Sequence, residues 1–355
     1  MLSIMIADYI ISSNDNRPLQ SHQSIVLAGA FENGEEVTEV TADGRRNLSC
    51  LNSDHEEADT RIIFHTCVTD ADFRRRRTNG RIIIETPDTD VLVLAIHHIP
   101  KLSNTTELWI KTGIVTPCGN KRRYIPVHDI CKNIPPVLGQ ILPAVHSITG
   151  ADTTSMFYSI GKKTVWNNIM KLGAHKFQYL KNFALQSTDE MTNVNLARKF
   201  VSNMYDPSGK YGRKHDNLTE LRCAMSATVK DVAYLPPSEP AFLQHVRRAV
   251  HQTQIWLNAH VAVLKLESPV GHGWDISQDG LIRPVFFEGS TTTEMMRGLL
   301  CGSKTCNETC SCKQASMECC DLCSCDDSCP NQSTEMHESN PSLNDTENSG
   351  HHTET

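Results

Sequence analysis

No apolar run in this 355-residue sequence approaches the roughly 20 residues that a membrane-spanning helix needs; the longest plausible core strand is Val91–Ile96. That shortage excludes the helical membrane class and any membrane partner. The opening Met1 to Asp8 lacks a basic lead and carries an early acid, so it is a poor secretory signal and the expected compartment is intracellular. A global basic excess is also missing, with 34 Lys and Arg against 41 Asp and Glu, so only the local run Arg74 to Arg77 hints at nucleic acid. Cysteine is scarce in the first 300 residues, with singles at 50, 67, 118, 131 and 223, which read as small buried hydrophobes.

The other nine cysteines lie between Cys301 and Cys329, and the acidity is equally local. From Cys301 onward there are two lysines and ten acids, a net of −8, leaving the body balanced at 32 against 31. Hydrophobic content of 39% and charged content of 21% fit an ordinary globular body of more than one unit.

Three acidic clusters stand out: His55-Glu56-Glu57-Ala58-Asp59, Pro87-Asp88-Thr89-Asp90 and Gly150-Ala151-Asp152-Thr153-Thr154. The first sits at a helix start. Ser53 with Glu56 fits a capping box, and Ala58, Ile62, Ile63 and Cys67 recur at helical spacing. Carboxylates there are favoured by the helix dipole in any case, so Glu57 and Asp59 have a purely structural explanation as well. His55 and His65 are weaker ligand candidates. Asp72 to Gly80 reads as an arginine-rich loop.

Arg81 to Thr86 is the clearest strand, a β-branched run of the kind buried in a parallel sheet. It leads straight into Asp88 and Asp90, where open α/β sheets place their ligand crevice. Ser24 to Gly29 reads as a further strand of the same sheet, as do Glu107 to Lys111 and Arg123 to Val127. Helices are expected over 127–134 and 137–148, divided by Pro135-Pro136, and another starts near Gly161, Lys162 and Lys163, where a phosphate would find N–H groups and positive charge. Solvated lysines are the competing explanation. Folded together, the three clusters would repel one another unless a cation held them, which points to hard divalent metal, magnesium or manganese.

In order and spacing, these pieces resemble the flap endonuclease-like branch of the PIN-like 5′-nuclease superfamily. Glu57-Ala58-Asp59 matches its helical E-x-[ED], Asp88-Thr89-Asp90 its strand-ending D-x-D, and Gly150-Ala151-Asp152 its G-x-D. Ser159-Ile160-Gly161-Lys162-Lys163 matches its DNA-gripping turn, with Ser where the motif opens on Gly. The resemblance, over about residues 51 to 175, implies a three-layer α/β fold with a mostly parallel sheet. It also implies magnesium-dependent hydrolysis of DNA phosphodiesters, branched or single-stranded, by Glu57, Asp59, Asp88, Asp90 and Asp152, with Gly161, Lys162 and Lys163 on the DNA backbone. Family cores also carry carboxylates near their N-terminus. Asp8 is the residue placed to supply one here, and the N-terminal part reads as incomplete.

Residues 176–300 read as a mainly helical extension with helices over 196–205, 218–229 and 242–260. The last carries Gln244, His245, Arg247, Arg248, His251 and Gln252, as a nucleic-acid face or an amphipathic packing face. Residues 301–332 hold Cys301, Cys306, Cys310, Cys312, Cys319, Cys323, Cys325 and Cys329, with Cys320 additional, a thiol density that selects zinc. This segment resembles the tesmin-like CXC module, which implies zinc and, in relatives, DNA. Its acidic character favours a protein partner or a stabilising role. Residues 333–355 read as a disordered tail. The combination resembles animal proteins of mobile-element origin, which implies nuclear residence. The functional expectation is a metal-dependent nuclease. The alternatives are a degenerate nucleic-acid- or protein-binding module on the same fold, and a zinc-stabilised interaction protein whose acids are only caps and turns.

Overall fold

The structure, a computed structural model, describes residues 5–6, 8–10, 19–29, 34–116, 119–211, 217–229, 231–265, 267–286, 306, 310–314, 319, 323–325 and 329–331. The chain divides into two compact units, Met1–Glu288 and Gly289–Thr355. The fold is mixed α/β in the first unit, with a cysteine cluster in the second. Cys301 and the tail expected over 333–355 lie outside the described residues. No described helix is long and apolar enough to cross a membrane.

The first unit is organised on a mixed sheet of β4 (Gly80–Glu85), β5 (Thr106–Thr112) and β8 (Arg123–Pro126). β4 and β5 run parallel, with Ile82 opposite Leu108 and Ile84 opposite Ile110, while β8 joins β5 antiparallel. The sheet is therefore less parallel than expected, because a short loop and the small hairpin of β6 (Val115–Thr116) and β7 (Gly119–Asn120) turn the chain straight back. Its burial alternates. Ile84, Leu108 and Ile110 are buried on one face, whereas Ile83 is 51% exposed on the other. There the cross-strand pairs Arg81–Glu107 (2.7 Å) and Lys111–Glu85 (2.8 Å) face outward. The β-branched run of β4 is thus half-buried, contrary to the expectation of a strand covered on both faces.

The N-terminal strand expected to join this sheet belongs elsewhere. β1 (Ile25–Ala28), β2 (Val37–Thr41) and β3 (Gly44–Asn47) form their own antiparallel sheet, in which only Val37, Thr38 and Val40 of β2 are buried. Val91–Ile96 is also not a strand. It lies in α2 (Thr89–His98), capped by the Asp88 carboxylate accepting from the Asp90 N–H at 2.8 Å, and buries Val91, Leu94 and Ala95 at helical spacing.

α1 (Ala58–Arg76) starts later and ends later than its sequence suggests. The capping box does not form, because residues 52–57 are held extended by remote contacts. Asp54 accepts from the Leu264 N–H at 3.0 Å, and His55 Nε2 lies 2.7 Å from the Val261 carbonyl oxygen. Glu57 becomes the N-cap residue. The expected arginine loop is the last turn of α1. Arg74 pairs with buried Asp70 and Arg76 with Asp72 at i,i+4 spacing, and Arg77 closes the helix at φ 55°.

After β8 come α3 (Val127–Asn133) and α4 (Pro136–Ile148), then α5 (Lys162–Leu172), a 3₁₀ segment over Ala174–Asn182, α6 (Glu190–Tyr205), α7 (Leu218–Ser226) and α8 (Glu239–Leu257). The hairpin of β9 (Trp274–Ile276) and β10 (Ile282–Pro284) follows. The helices beyond residue 175 complete the first unit. α8 lies against α4, with Ser147 Oγ and Thr253 Oγ1 2.6 Å apart and His245 Nε2 2.8 Å from the Ile148 carbonyl oxygen. Gln244, His245, Arg248 and Gln252 are buried, so that face of α8 packs inward. Trp256, 2% exposed, joins the cluster of Ile63, Ile84, Leu94 and Ile110 beneath the sheet.

Candidate metal centre

Three backbone features deliver acids to one place. β4 ends at Glu85, and α2 begins at Thr89 with Asp88 as its cap, which fixes Asp88 and Asp90 at the carboxyl end of the strand. α1 begins beside them and presents Glu57 and Asp59. α4 ends at Ile148, and Gly150, at φ +109°, turns the chain so that Asp152 follows at once. A Cβ at Gly150 would come within 2.9 Å of the Met156 Cα, so glycine is required there for both conformation and space.

Glu57, Asp59, Asp88, Asp90 and Asp152 line one cavity of about 240 Å³ with Thr153, Gln252 and Trp256. One carboxylate oxygen each from Asp59, Asp88 and Asp90 lies within 4.8 Å of the others. Burial, together with the charges of Asp88, Asp90, Glu57 and Asp152, pushes the Asp59 carboxyl up to about 6. Burial also raises Glu57, with Asp90 and Asp152 adding to it and hydrogen bonding from Gln252 and Trp256 opposing it. At Asp90, burial pushes upward but is outweighed by His146, whose Nε2 lies 2.7 Å from Oδ1, and the carboxyl is lowered.

The donors are hard oxygens that repel one another, converging from three segments into a cavity that Ala58, Thr153, Gln252 and Trp256 also line. Such an oxygen-only set could hold a hard cation. A shell of hydrogen bonds orients it. The Gln252 amide donates to Glu57 Oε1 at 3.1 Å and accepts from Thr153 Oγ1 at 2.5 Å, while His146 braces Asp90. Pattern reading had no purchase on these roles, because each partner is remote in sequence. Gln252 and Trp256 stand out only as members of the α8 pattern.

The DNA-contact lysines divide. Lys162 turns its ammonium back onto the end of α4, donating to the His146 carbonyl (2.6 Å), Thr149 Oγ1 (2.9 Å) and the Gly150 carbonyl (2.5 Å). Burial of that ammonium lowers it to about 8, with Asp90 pulling the other way. Lys162 therefore caps the end of α4, a role its sequence position did not suggest. Gly161 is the N-cap of α5 and Lys163 is exposed in its first turn. Ser159 adopts φ 57°, the left-handed conformation that glycine takes readily.

Of the weaker candidates, His55 and His65 do not line the acidic cavity, and Asp8 pairs with Arg45 on β3 at 2.8 Å.

In the second unit, Cys306, Cys319, Cys325 and Cys329 place one sulfur each within 4.8 Å of the others, and so do Cys310, Cys312 and Cys319. Cys319 belongs to both groups, and Asn331 Nδ2 donates to its sulfur at 3.3 Å. Cys323 adjoins the second group, with its sulfur 3.6 Å from that of Cys312. Either cluster could hold a metal ion such as zinc.

Comparison with protein-family models, with curated proteins and with solved structures finds no match for this chain.

Proposed function

We propose that residues 1–288 form a divalent-metal-dependent nuclease of the PIN-like type, hydrolysing phosphodiester bonds in DNA. The observation that carries the reading is the meeting of Glu57, Asp59, Asp88, Asp90 and Asp152 in one cavity at the carboxyl end of β4, from segments about 30 and 60 residues apart along the chain. Asp59, Asp88 and Asp90 would hold the magnesium or manganese directly, with Glu57 and Asp152 as further ligands, through water or directly. When bound, the metal supplies Lewis-acid stabilisation of the charge that builds on the attacked phosphate.

The chain's own residues do the rest. Gln252 fixes Glu57 in one rotamer. His146 holds Asp90 ionised and aimed at the cavity. Trp256, buried at 2% exposure, lines the cavity beside them. Lys163, exposed at the start of α5, is the side chain placed to meet a backbone phosphate, with Gly161 allowing close approach. No side chain is required as a nucleophile.

A second reading is a module that binds nucleic acid or protein without cutting, and one observation favours it. Asp8, the one N-terminal acid that could stand for a family carboxylate, is engaged with Arg45. For the second unit, the proposal is a zinc-held segment that contacts a protein partner, in a nuclear setting.

The deciding experiment incubates the full chain with magnesium or manganese and flap, nicked or single-stranded DNA. Cleavage that chelator and Asp88→Ala both abolish supports the nuclease. Retained DNA binding without cleavage under every metal supports the binding module.

A further inference from the structure

We infer that the groove between α8 and the β9–β10 hairpin receives an unpaired nucleobase carrying an exocyclic amino group, at the nucleotide beside the phosphate held in the acidic cavity. The inference rests on the nuclease reading and adds base selectivity to it.

The groove holds about 490 Å³, within the range of small-ligand sites. It adjoins the acidic cavity, since Glu57, Thr153 and Gln252 line both. A nucleotide with its phosphate at the acids therefore has its base within reach of the groove. Its lining includes the apolar side chains of Ile255, Leu264 and Ile282 and the indole of Trp274, the residue type on which a base stacks.

The charges of the groove discriminate against a second phosphate. Its lining includes Asp54, Glu56, Glu57 and Glu267. Arg248 also lines it and keeps its positive charge while its guanidinium Nη1 donates to the carbonyls of Gly273 (3.0 Å) and Val285 (2.6 Å), so four carboxylates face one guanidinium. A neutral group bearing N–H donors suits such a surface and a phosphate does not.

The acceptors open to a ligand can be named. Both Asp54 oxygens accept from the Leu264 N–H, and Glu57 accepts from Gln252. Glu56 is exposed at the rim, and Glu267 offers a carboxylate shared with His272 at 3.1 Å. A carboxylate only accepts hydrogen bonds. Adenine, cytosine and guanine present an exocyclic amino group with two N–H donors, whereas thymine has a single donor, N3–H, set between two carbonyl oxygens that a carboxylate repels.

The test uses the full chain and thymine-only single strands carrying one adenine, cytosine, guanine or abasic residue at successive positions. Binding is measured with calcium in place of magnesium, and cleavage with magnesium or manganese. The expected result is one position, next to the cleaved bond, where an amino-bearing base binds about tenfold tighter than thymine or an abasic residue. Glu56→Gln should erase the preference over thymine while leaving cleavage of an all-thymine strand unchanged. Trp274→Ala should erase the preference over the abasic residue, and Trp274→Phe should keep it. If Trp274→Ala fails to fold by circular dichroism, Glu56→Gln and Trp274→Phe decide. Equal binding of every base and of the abasic residue at all positions, with cleavage intact, overturns the base pocket and leaves the nuclease standing. No binding and no cleavage of any strand overturns both.

Discussion

The Gln252 amide donates to Glu57 Oε1 at 3.1 Å across 195 positions of sequence. A carboxylate at the mouth of α1 is thereby held by a helix near the other end of the unit. Because Gln252 also accepts from Thr153 at 2.5 Å, one side chain couples two of the three acidic segments. Gln252→Ala is expected to weaken magnesium affinity and cleavage by about 10- to 100-fold, the usual effect of losing an outer-shell partner. Isothermal titration with magnesium, beside cleavage rates, checks it. A loss of melting temperature with no change in metal affinity would show that Gln252 serves packing alone.

Asp88 is both the cap of α2 and a member of the acidic triad. Asparagine caps as well as aspartate does, so Asp88→Asn isolates the charge. In chelator the variant should melt at or slightly above the parent, by about 1 kcal/mol or less for an exposed group. It should also lose the rise in melting temperature that magnesium gives the parent. Thermal melts with and without metal read both effects.

The pH dependence of the metal-free chain follows from the raised carboxyls. Asp59, at about 6 when folded against an ordinary value of 3.8, keeps its proton in the folded state over a range where the unfolded chain has already lost its own. Stability from this group is therefore present near pH 4 and declines as pH rises to about 6. Glu57 shifts the same way. Asp90, lowered by His146, acts oppositely but below about pH 4, where its stabilisation is lost on acidification. Metal should bind more tightly as pH rises through 6, because it displaces the Asp59 proton. Melts from pH 4 to 8, with and without manganese, should converge at the acid end and diverge above pH 6.

Lys162 and Lys163 are neighbours with different expected phenotypes. Lys162→Met strips three acceptors at the end of α4 of their donor and should destabilise the fold by about 1 to 3 kcal/mol. Lys163→Ala should leave the melting temperature unchanged, weaken DNA binding and reduce its salt dependence by about one phosphate contact. Denaturant melts and salt-dependent binding curves separate the two.

Cys319 belongs to both sulfur groups of the second unit. Cys319→Ser should lower zinc content more than Cys312→Ser, which touches one group. Metal analysis of the purified chains measures this, and equal losses would mean that Cys319 is not shared.

Much of the architecture was legible because local physics decides it. The β-branched run before Pro87 makes a strand that delivers Asp88 and Asp90 to its carboxyl end, and the Pro135-Pro136 break separates two helices. Where reading failed, remote contacts had the deciding vote. Ser53 and Glu56 have the pattern of a capping box, yet Asp54 and His55 are tied to residues 261–264 and hold the segment extended. The arginines at 74–76 look like loop, yet pairing with Asp70 and Asp72 keeps them helical. Lys162 has the pattern of a phosphate contact, and its ammonium also satisfies the end of α4.

By itself the sequence determined which residues are acidic, at what spacing, and that the last cysteines are concentrated in one short segment after residue 300, since those follow from composition and short-range order. Only the tertiary structure decided that the acids share a cavity, which ones His146 and Gln252 brace, and that an apolar groove lies beside them. Those relations depend on helices far apart in the chain being packed together by burial of residues such as Trp256, and a one-dimensional pattern carries no record of which distant side chain will arrive.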